Sequence, residues 1–277
     1  MPIAGVAAGL LAALSFGAGD FAGAVAARRA GALAVVAGAH FSGLVVLVVA
    51  AAVLAPPMPE LPAILLGLTA GVAGGIGLAA LYRGMALGSM GLITALSGAG
   101  SLAIPLLVGG LLGDRVGALQ VAGVACAAAA AVAASGASRS ELGRLAIALA
   151  GLAAISFGAW YVLIDLAAEG GDPLWALVFS RAASAGVAGL FAIGRLDRSR
   201  YPLRVVVAAG LGDIGGNACY VIARDQMPIG LAAALTGLYP IVTMLLARFV
   251  LGEHLPRLGQ IGVALALLGI VLISVGG

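Results

Sequence analysis

Charge is scarce in this chain: Asp, Glu and Arg together make up 9% of 277 residues. An ionisable side chain inside an apolar run is therefore a candidate for chemistry. At membrane depth such a group costs about 2.5–3.5 kcal/mol on insertion scales unless a cavity or a partner receives it. Asp20 sits in Gly17-Ala-Gly-Asp20-Phe-Ala-Gly23. Its carboxylate either meets interfacial water or caps a helix, or it faces a cavity where it pairs with Arg181 and holds a substrate amine or a proton. Glycines at 17, 19 and 23 would let a ligand or a second backbone come close. Asp213 and Asn217, four residues apart, share one face of a helix. Arg181 falls mid-run, either as a cavity cation or as a structural cation satisfied by Asp213. His40 is either a proton-coupling group, since imidazole titrates in the physiological range, or a neutral ring bonded to a helix carbonyl.

Aromatic side chains are few, so their positions carry information. Trp160 and Tyr161 follow a Ser-Phe-Gly-Ala element, at the place where an earlier copy of that element is followed by Gly19 and Asp20. Tyr82, Tyr220 and Tyr239 join them as candidate substrate contacts, although Tyr also anchors helices at the membrane interface. Tyr201 and Trp175 are expected to be such anchors. Ser15, Ser156, Ser97 and Thr236 are expected to bridge helices. The pairs Asp114-Arg115 and Arg224-Asp225 read as local salt bridges at helix ends, and Glu253 as a structural acid of the same kind. Asp20 and Asp213 are the candidates for proton coupling beside His40. Pro105 and Pro240 are expected to break their helices and act as hinges, because proline removes a backbone donor.

These groups must be carried by membrane-spanning helices. Hydrophobic residues make up 63% of the chain, whereas a soluble domain carries roughly 25% charged residues. Ten runs approach the ~20 residues that a bilayer core needs: about 3–22, 31–54, 62–84, 91–112, 118–136, 145–166, 174–194, 203–223, 230–250 and 258–276. Turn chemistry separates them, as at Pro56-Pro57-Met58-Pro59, Gly113-Asp114 and Gly170-Gly171-Asp172-Pro173. No cleaved signal peptide is expected, since Met1-Pro2-Ile3 lacks a basic start. Cys126 and Cys219 both fall inside runs, so no disulfide is expected. All fourteen cationic side chains are Arg, and their distribution over the loops, not a nucleic-acid footprint, explains the net charge of +3. Two His and two isolated Cys make no metal-ligand set. No Gly-Lys-Ser/Thr nucleotide loop is possible without Lys.

The runs repeat. Leu11-Ala-Ala-Leu-Ser-Phe-Gly-Ala18 returns as Leu152-Ala-Ala-Ile-Ser-Phe-Gly-Ala159, and Gly91-Leu-Ile-Thr-Ala-Leu-Ser-Gly98 as Gly230-Leu-Ala-Ala-Ala-Leu-Thr-Gly237. Leu112-Gly-Asp114 matches Leu251-Gly-Glu253. Residues 1–140 and 141–277 are therefore expected to be two copies of a five-helix unit. An odd number of spans makes the copies cross the membrane in opposite senses, with a solute site between them. Eleven arginines fall on one side and Arg115 and Arg224 on the other, which places the termini outside the cytoplasm by the positive-inside rule.

The duplication, the doubled Ser-Phe-Gly, the small-residue third run, the Gly-x-x-x-Ala-Leu-x-Gly start of each fourth run and the acid after its Leu-Gly together resemble the ten-helix, EamA-type branch of the drug/metabolite transporter superfamily. The resemblance covers essentially the whole chain. It implies an all-α basket of ten helices around a central cavity, lined by the first, third, fourth, sixth, eighth and ninth, with the fifth and tenth packed together outside. It also implies export or exchange of small metabolites, including amino acids, without a cofactor, from the cytoplasmic (inner) membrane. The chain departs from that pattern at Phe16, where family members commonly carry Trp. Its arginine count also opposes the cytoplasmic termini usual in the family.

The expected function is a secondary transporter for amino acids or amphipathic amines, working by alternating access with a small-molecule substrate and the lipid bilayer as its partners. The internal repeat supplies the interface that a five-helix ancestor would take from a dimer, so a monomer suffices. Two alternatives come from other classes. Gly17-Ala-Gly-Asp20 spells the Gly-x-Gly-Asp of intramembrane aspartyl proteases, with Asp213 as the second acid of a proton-sharing pair. A lipid flippase would instead need a lateral opening between helices.

Overall fold

The computed structural model describes residues 3–112, 117–137, 141–194, 201–226, 232 and 235–276. These form ten α-helices: α1 (Ile3–Ala30), α2 (Ala32–Leu54), α3 (Leu61–Leu87), α4 (Met90–Leu112), α5 (Ala118–Ala137), α6 (Glu141–Glu169), α7 (Pro173–Ala192), α8 (Leu203–Gln226), α9 (Tyr239–Leu251) and α10 (Arg257–Val275). Seven of them, α1, α2, α3, α6, α7, α8 and α10, are long and apolar enough to cross a membrane. The fully described apolar stretches of α4, α5 and α9 are shorter: Met90–Ile104, Ala118–Ala130 and Tyr239–Leu251.

Local chemistry sets the ends. Asp172 caps α7: its Oδ1 accepts from the Leu174 amide at 2.8 Å, and Pro173 occupies the first turn, where a missing N–H is no loss. α2 stops at Ala55, which takes a left-handed conformation (φ 45°) ahead of Pro56 and Pro57, residues that cannot continue the ladder. α9 stops at Gly252, also left-handed (φ 68°), a conformation that costs a glycine little.

Two expectations about these proline-bearing spans need correction. A single span over 230–250 was expected; instead helical residues 235–236 are followed by a turn at Gly237–Leu238, and α9 begins at Tyr239. Pro240 thus lies in the first turn of α9, directly after that interruption, where its fixed φ suits initiation. Pro105 was expected to interrupt its helix, yet α4 runs through it without a change of backbone class. The pairs Asp114-Arg115 and Arg224-Asp225 fall wholly or partly outside the described side chains.

The helices pair across the midpoint of the chain. α1 lies on α8, α3 on α6, α2 on α7 and α5 on α10. Small residues make this possible, since without a hydrophobic force between helices in lipid close packing must supply the attraction. A Cβ on Gly212 of α8 would lie 2.8 Å from the Gly19 Cα of α1, and one on Gly71 of α3 would lie 2.8 Å from the Ser180 Cα of α7. Contacts run in opposite order along each pair. Ser15 and Gly19 of α1 meet Gly215 and Ala209 of α8, and Gly74 and Gly84 of α3 meet Trp160 and Ala146 of α6.

The largest cluster of buried side chains is gathered from one end of the bundle. It takes Ala24 and Ala27 from the close of α1, Val35 and Val36 from the opening of α2, Tyr82 and Met85 from the close of α3, and Met90 and Ile93 from the opening of α4. At that same end Glu253 accepts a hydrogen bond from the Met90 amide at 3.2 Å, tying the segment after α9 to the first turn of α4. The Arg28 guanidinium donates to the Met85 carbonyl there. Tyr201, in the segment before α8, donates to the Ala34 carbonyl at 3.1 Å, and burial holds its phenol above the usual pKa. The opposite end holds only small clusters, around Ala8 with Ala223 and around Leu47 with Val178.

Replacing Gly71 or Gly212 by Ala should therefore force helices apart at a cost of about 1–3 kcal/mol. Gly151→Ala, whose new methyl meets nothing within 4 Å, should be neutral or slightly favourable. Thermal unfolding in detergent checks this; equal melting temperatures for the three variants would contradict the packing described.

Candidate functional site

The ionisable residues Asp20, His40, Arg181 and Asp213 lie on α1, α2, α7 and α8, and contacts among these helices bring several of them together. Ser15, Phe16, Gly19 and Asp20 occupy successive faces of α1. Ser15 and Gly19 lie against α8, with the Ser15 hydroxyl donating to the Gly212 carbonyl at 2.9 Å. Asp213 leaves α8 one residue further on. Its Oδ2 accepts from Arg181 Nη2 of α7 at 2.5 Å. Arg181 is 5% exposed and Asp213 28%, so the cation is enclosed and the acid remains open on one side. Arg181 Nε is buried and, among the described residues, has no hydrogen-bond partner. Asn217 does not join the pair through its side chain: its amide donates to the Asp213 carbonyl at 2.8 Å, one turn back on its own helix.

His40 lies 3% exposed on α2. Its Nδ1 meets the Ser184 hydroxyl of α7 at 2.5 Å, in place of the helix carbonyl expected for a neutral ring. Ser184 is one turn from Arg181, and Ser180 is beside it. The Ser180 hydroxyl accepts from the Trp160 indole N–H at 3.0 Å. α7 thus presents Ser180, Arg181 and Ser184 to three different helices. Sequence reasoning chose only Arg181 of these three, although three polar residues within one turn of an otherwise apolar run were a usable signal. Thr243 of α9, which donates to the Gly17 carbonyl at 3.0 Å, was also missed.

The two Ser-Phe-Gly elements dock alike. Phe16 stacks over Gly216 of α8, and Phe157 over Gly77 of α3. Gly17 faces Val242 of α9, and Gly158 faces Ile104 of α4. Past these matched contacts the elements diverge. Trp160 fills the room above Gly74, whereas its counterpart Gly19 lets the α8 backbone approach at Asp213. Asp20 and Tyr161 are likewise counterparts. Asp20 lies within electrostatic reach of Asp213, Tyr82, Tyr161 and Tyr239. Tyr161 is also within reach of Tyr220.

Exposure sorts these residues by depth. Tyr161 is 44% exposed although it faces α1 and α8, whereas Tyr82 is 1% exposed and closes over Gly23. Phe16 and Tyr239 meet edge to face with centroids 6.3 Å apart, and the Tyr239 hydroxyl approaches Gly98 of α4. Asp20 and Asp213, both partly exposed, thus lie within electrostatic reach of Tyr82, Tyr161 and Tyr239, with Phe16 edge to face on Tyr239 and Arg181 paired to Asp213; this polar and aromatic cluster is the candidate recess. A separate cleft of about 700 Å³ between α2 and α7, lined by Ala34, Gly38, Phe41, Ala182, Gly186 and Tyr201, contains none of these polar groups.

Residues 144–275 match the EamA-like transporter family. The second half of this chain belongs to that family. The match runs from the start of α6 to the end of α10. With seven helices of membrane-crossing length, the chain is a multi-pass membrane protein whose second half matches a transporter family. The fold is similar to that of another protein's crystal structure, 18% identical, with a TM-score of 0.62 over 99% of this chain and 96% of that one. Among curated proteins none matches the chain.

Removing Arg181 leaves Asp213 uncompensated. Arg181→Met should destabilise the protein by about 3 kcal/mol, the low end for a broken buried pair because Asp213 is partly exposed. Arg181→Met combined with Asp213→Leu should recover most of that loss. Chemical denaturation in detergent measures both variants, and a double variant no better than the single would remove the ion pair as the cause.

Proposed function

We propose that the protein is a secondary transporter that exports or exchanges small amino compounds, amino acids or amphipathic amines, across the cytoplasmic membrane by alternating access. The observation that carries this reading is the recess itself: a partly exposed carboxylate, Asp213, and a partly exposed Tyr161 held at the centre of the spans. Lipid would not tolerate that acid, so water or a solute must reach it. In this reading residues 1–140 and 141–277 are inverted units, supported by the opposed order of contacts along α1/α8 and α3/α6. Rocking of one unit against the other would open the tightly packed end, with the Glu253–Met90 bond as one of the contacts released. Asp20, Tyr82, Tyr161, Tyr220 and Tyr239 contact the substrate, and Arg181 and Trp160 shape its walls. His40, Asp20 and Asp213 are the groups through which a proton gradient could act.

The intramembrane hydrolase reading is disfavoured. Sharing one proton between two carboxylates needs both acids free to approach each other, whereas Asp213 is committed to a guanidinium.

Counterflow in proteoliposomes tests transport, using a mixture of labelled amino acids and amines with and without an imposed pH gradient. Saturable exchange is expected, reduced at least tenfold by Asp20→Asn; no exchange of any compound would refute the reading. Inversion has its own test in a variant lacking Cys126 and Cys219. Single cysteines at Ala30 and Gly170, the ends of the first helix of each unit, should be labelled by an impermeant maleimide from opposite sides of the membrane. Labelling from one side only would show the units to be parallel.

A further inference from the structure

Resting on the transporter reading, we propose that the recess selects a cationic amine with an aromatic or apolar body and rejects the corresponding zwitterion. The argument is a charge count. Among the described residues three ionisable side chains bear on the recess: Asp20, Asp213 and Arg181. Arg181 and Asp213 neutralise one another across their ion pair. The guanidinium is 5% exposed and its Nη2 is engaged by Asp213. Every other described arginine lies at a helix end: Arg28 and Arg29, Arg83, Arg144, Arg204, Arg248 and Arg257. His40 is enclosed and engaged by Ser184. A substrate carboxylate entering the recess therefore meets, among the described residues, only a guanidinium that is enclosed and already paired, and it faces the carboxyl group of Asp20.

An ammonium group meets the opposite situation. Asp20 is only partly buried and, among the described residues, has neither a hydrogen bond nor an ion pair. It projects from the α1 face that also carries Phe16, one turn away, and Gly23, where the Tyr82 ring closes. Tyr161 and Tyr239 bear on it from α6 and α9. One carboxylate among four aromatic rings supplies an ion pair and cation–π contact to a single positive charge, and the rings accept a flat apolar body. The site thus has the charge for one cation and lacks the accessible donor that a carboxylate requires.

Three probes with the same ring separate the possibilities: tyramine (cation), tyrosine (zwitterion) and 4-hydroxyphenylpropionate (anion). Counterflow in proteoliposomes of the full chain should move tyramine at least tenfold faster than tyrosine, and the anion not at all. Quenching of Trp160 and Trp175 fluorescence in detergent should show tyramine binding to the wild type and its loss in Asp20→Asn, with circular dichroism confirming that the variant is folded. Tyrosine moved as fast as tyramine, or tyramine binding unchanged in Asp20→Asn, would overturn the inference. If none of the three moves while other compounds in the labelled mixture exchange, the amine assignment falls and the transporter reading stands. If nothing moves in either assay, the transporter reading itself falls.

Discussion

The interaction on which the interior depends is the neutralisation of one guanidinium by one carboxylate at the centre of a bundle with little other charge. Arg181 could not remain at that depth alone, and Asp213 could not be drawn against it unless α7 packed closely on α3 and α8 on α1. That approach requires Gly19 opposite Gly212 and Gly71 opposite Ser180, positions where even a methyl group would collide. The small residues are therefore more than a generic membrane composition. They allow four backbones to come near enough for two ionised groups to meet.

The matched and mismatched contacts show how the two copies have specialised. Phe16 over Gly216 and Phe157 over Gly77 preserve the same joint twice, which keeps the halves in register. One turn further along, the copies differ: a bulky indole occupies one side, and the other is left bare so that an acid can reach across. Asp20 faces Tyr161 by the same divergence. The two copies of the motif thereby present unlike surfaces, an acid from one and aromatic surface from the other.

Much of the architecture was legible in the residues because apolar run length and turn chemistry are local signals. Eight of the ten expected spans come within four residues of the helix that forms at both ends. The larger departures were at the end of the first span, where Arg28 and Arg29 continue the helix past the bilayer-sized core, and at the start of the ninth. There the run is interrupted by a turn at Gly237–Leu238, directly ahead of the proline that lies in the first turn of α9. The pairing of Arg181 with Asp213 was legible as one of two alternatives, because a lone cation in an apolar run demands an acid. The partners of His40 and Trp160 were not legible. Both are serines on α7, and serine is too common in membrane helices to announce which neighbour it will meet.

Cross-half pairing has a consequence for how the chain is made. The most extensive helix contacts join α1 to α8, α3 to α6, α5 to α10 and α2 to α7, so each early segment waits for a partner not yet synthesised. During translation the first five helices must stay in the bilayer with glycine faces uncovered and Asp20 without its final surroundings. Assembly can finish only after the last segments leave the ribosome, and until then the nascent protein depends on lipid or an insertion chaperone to keep those faces from premature association.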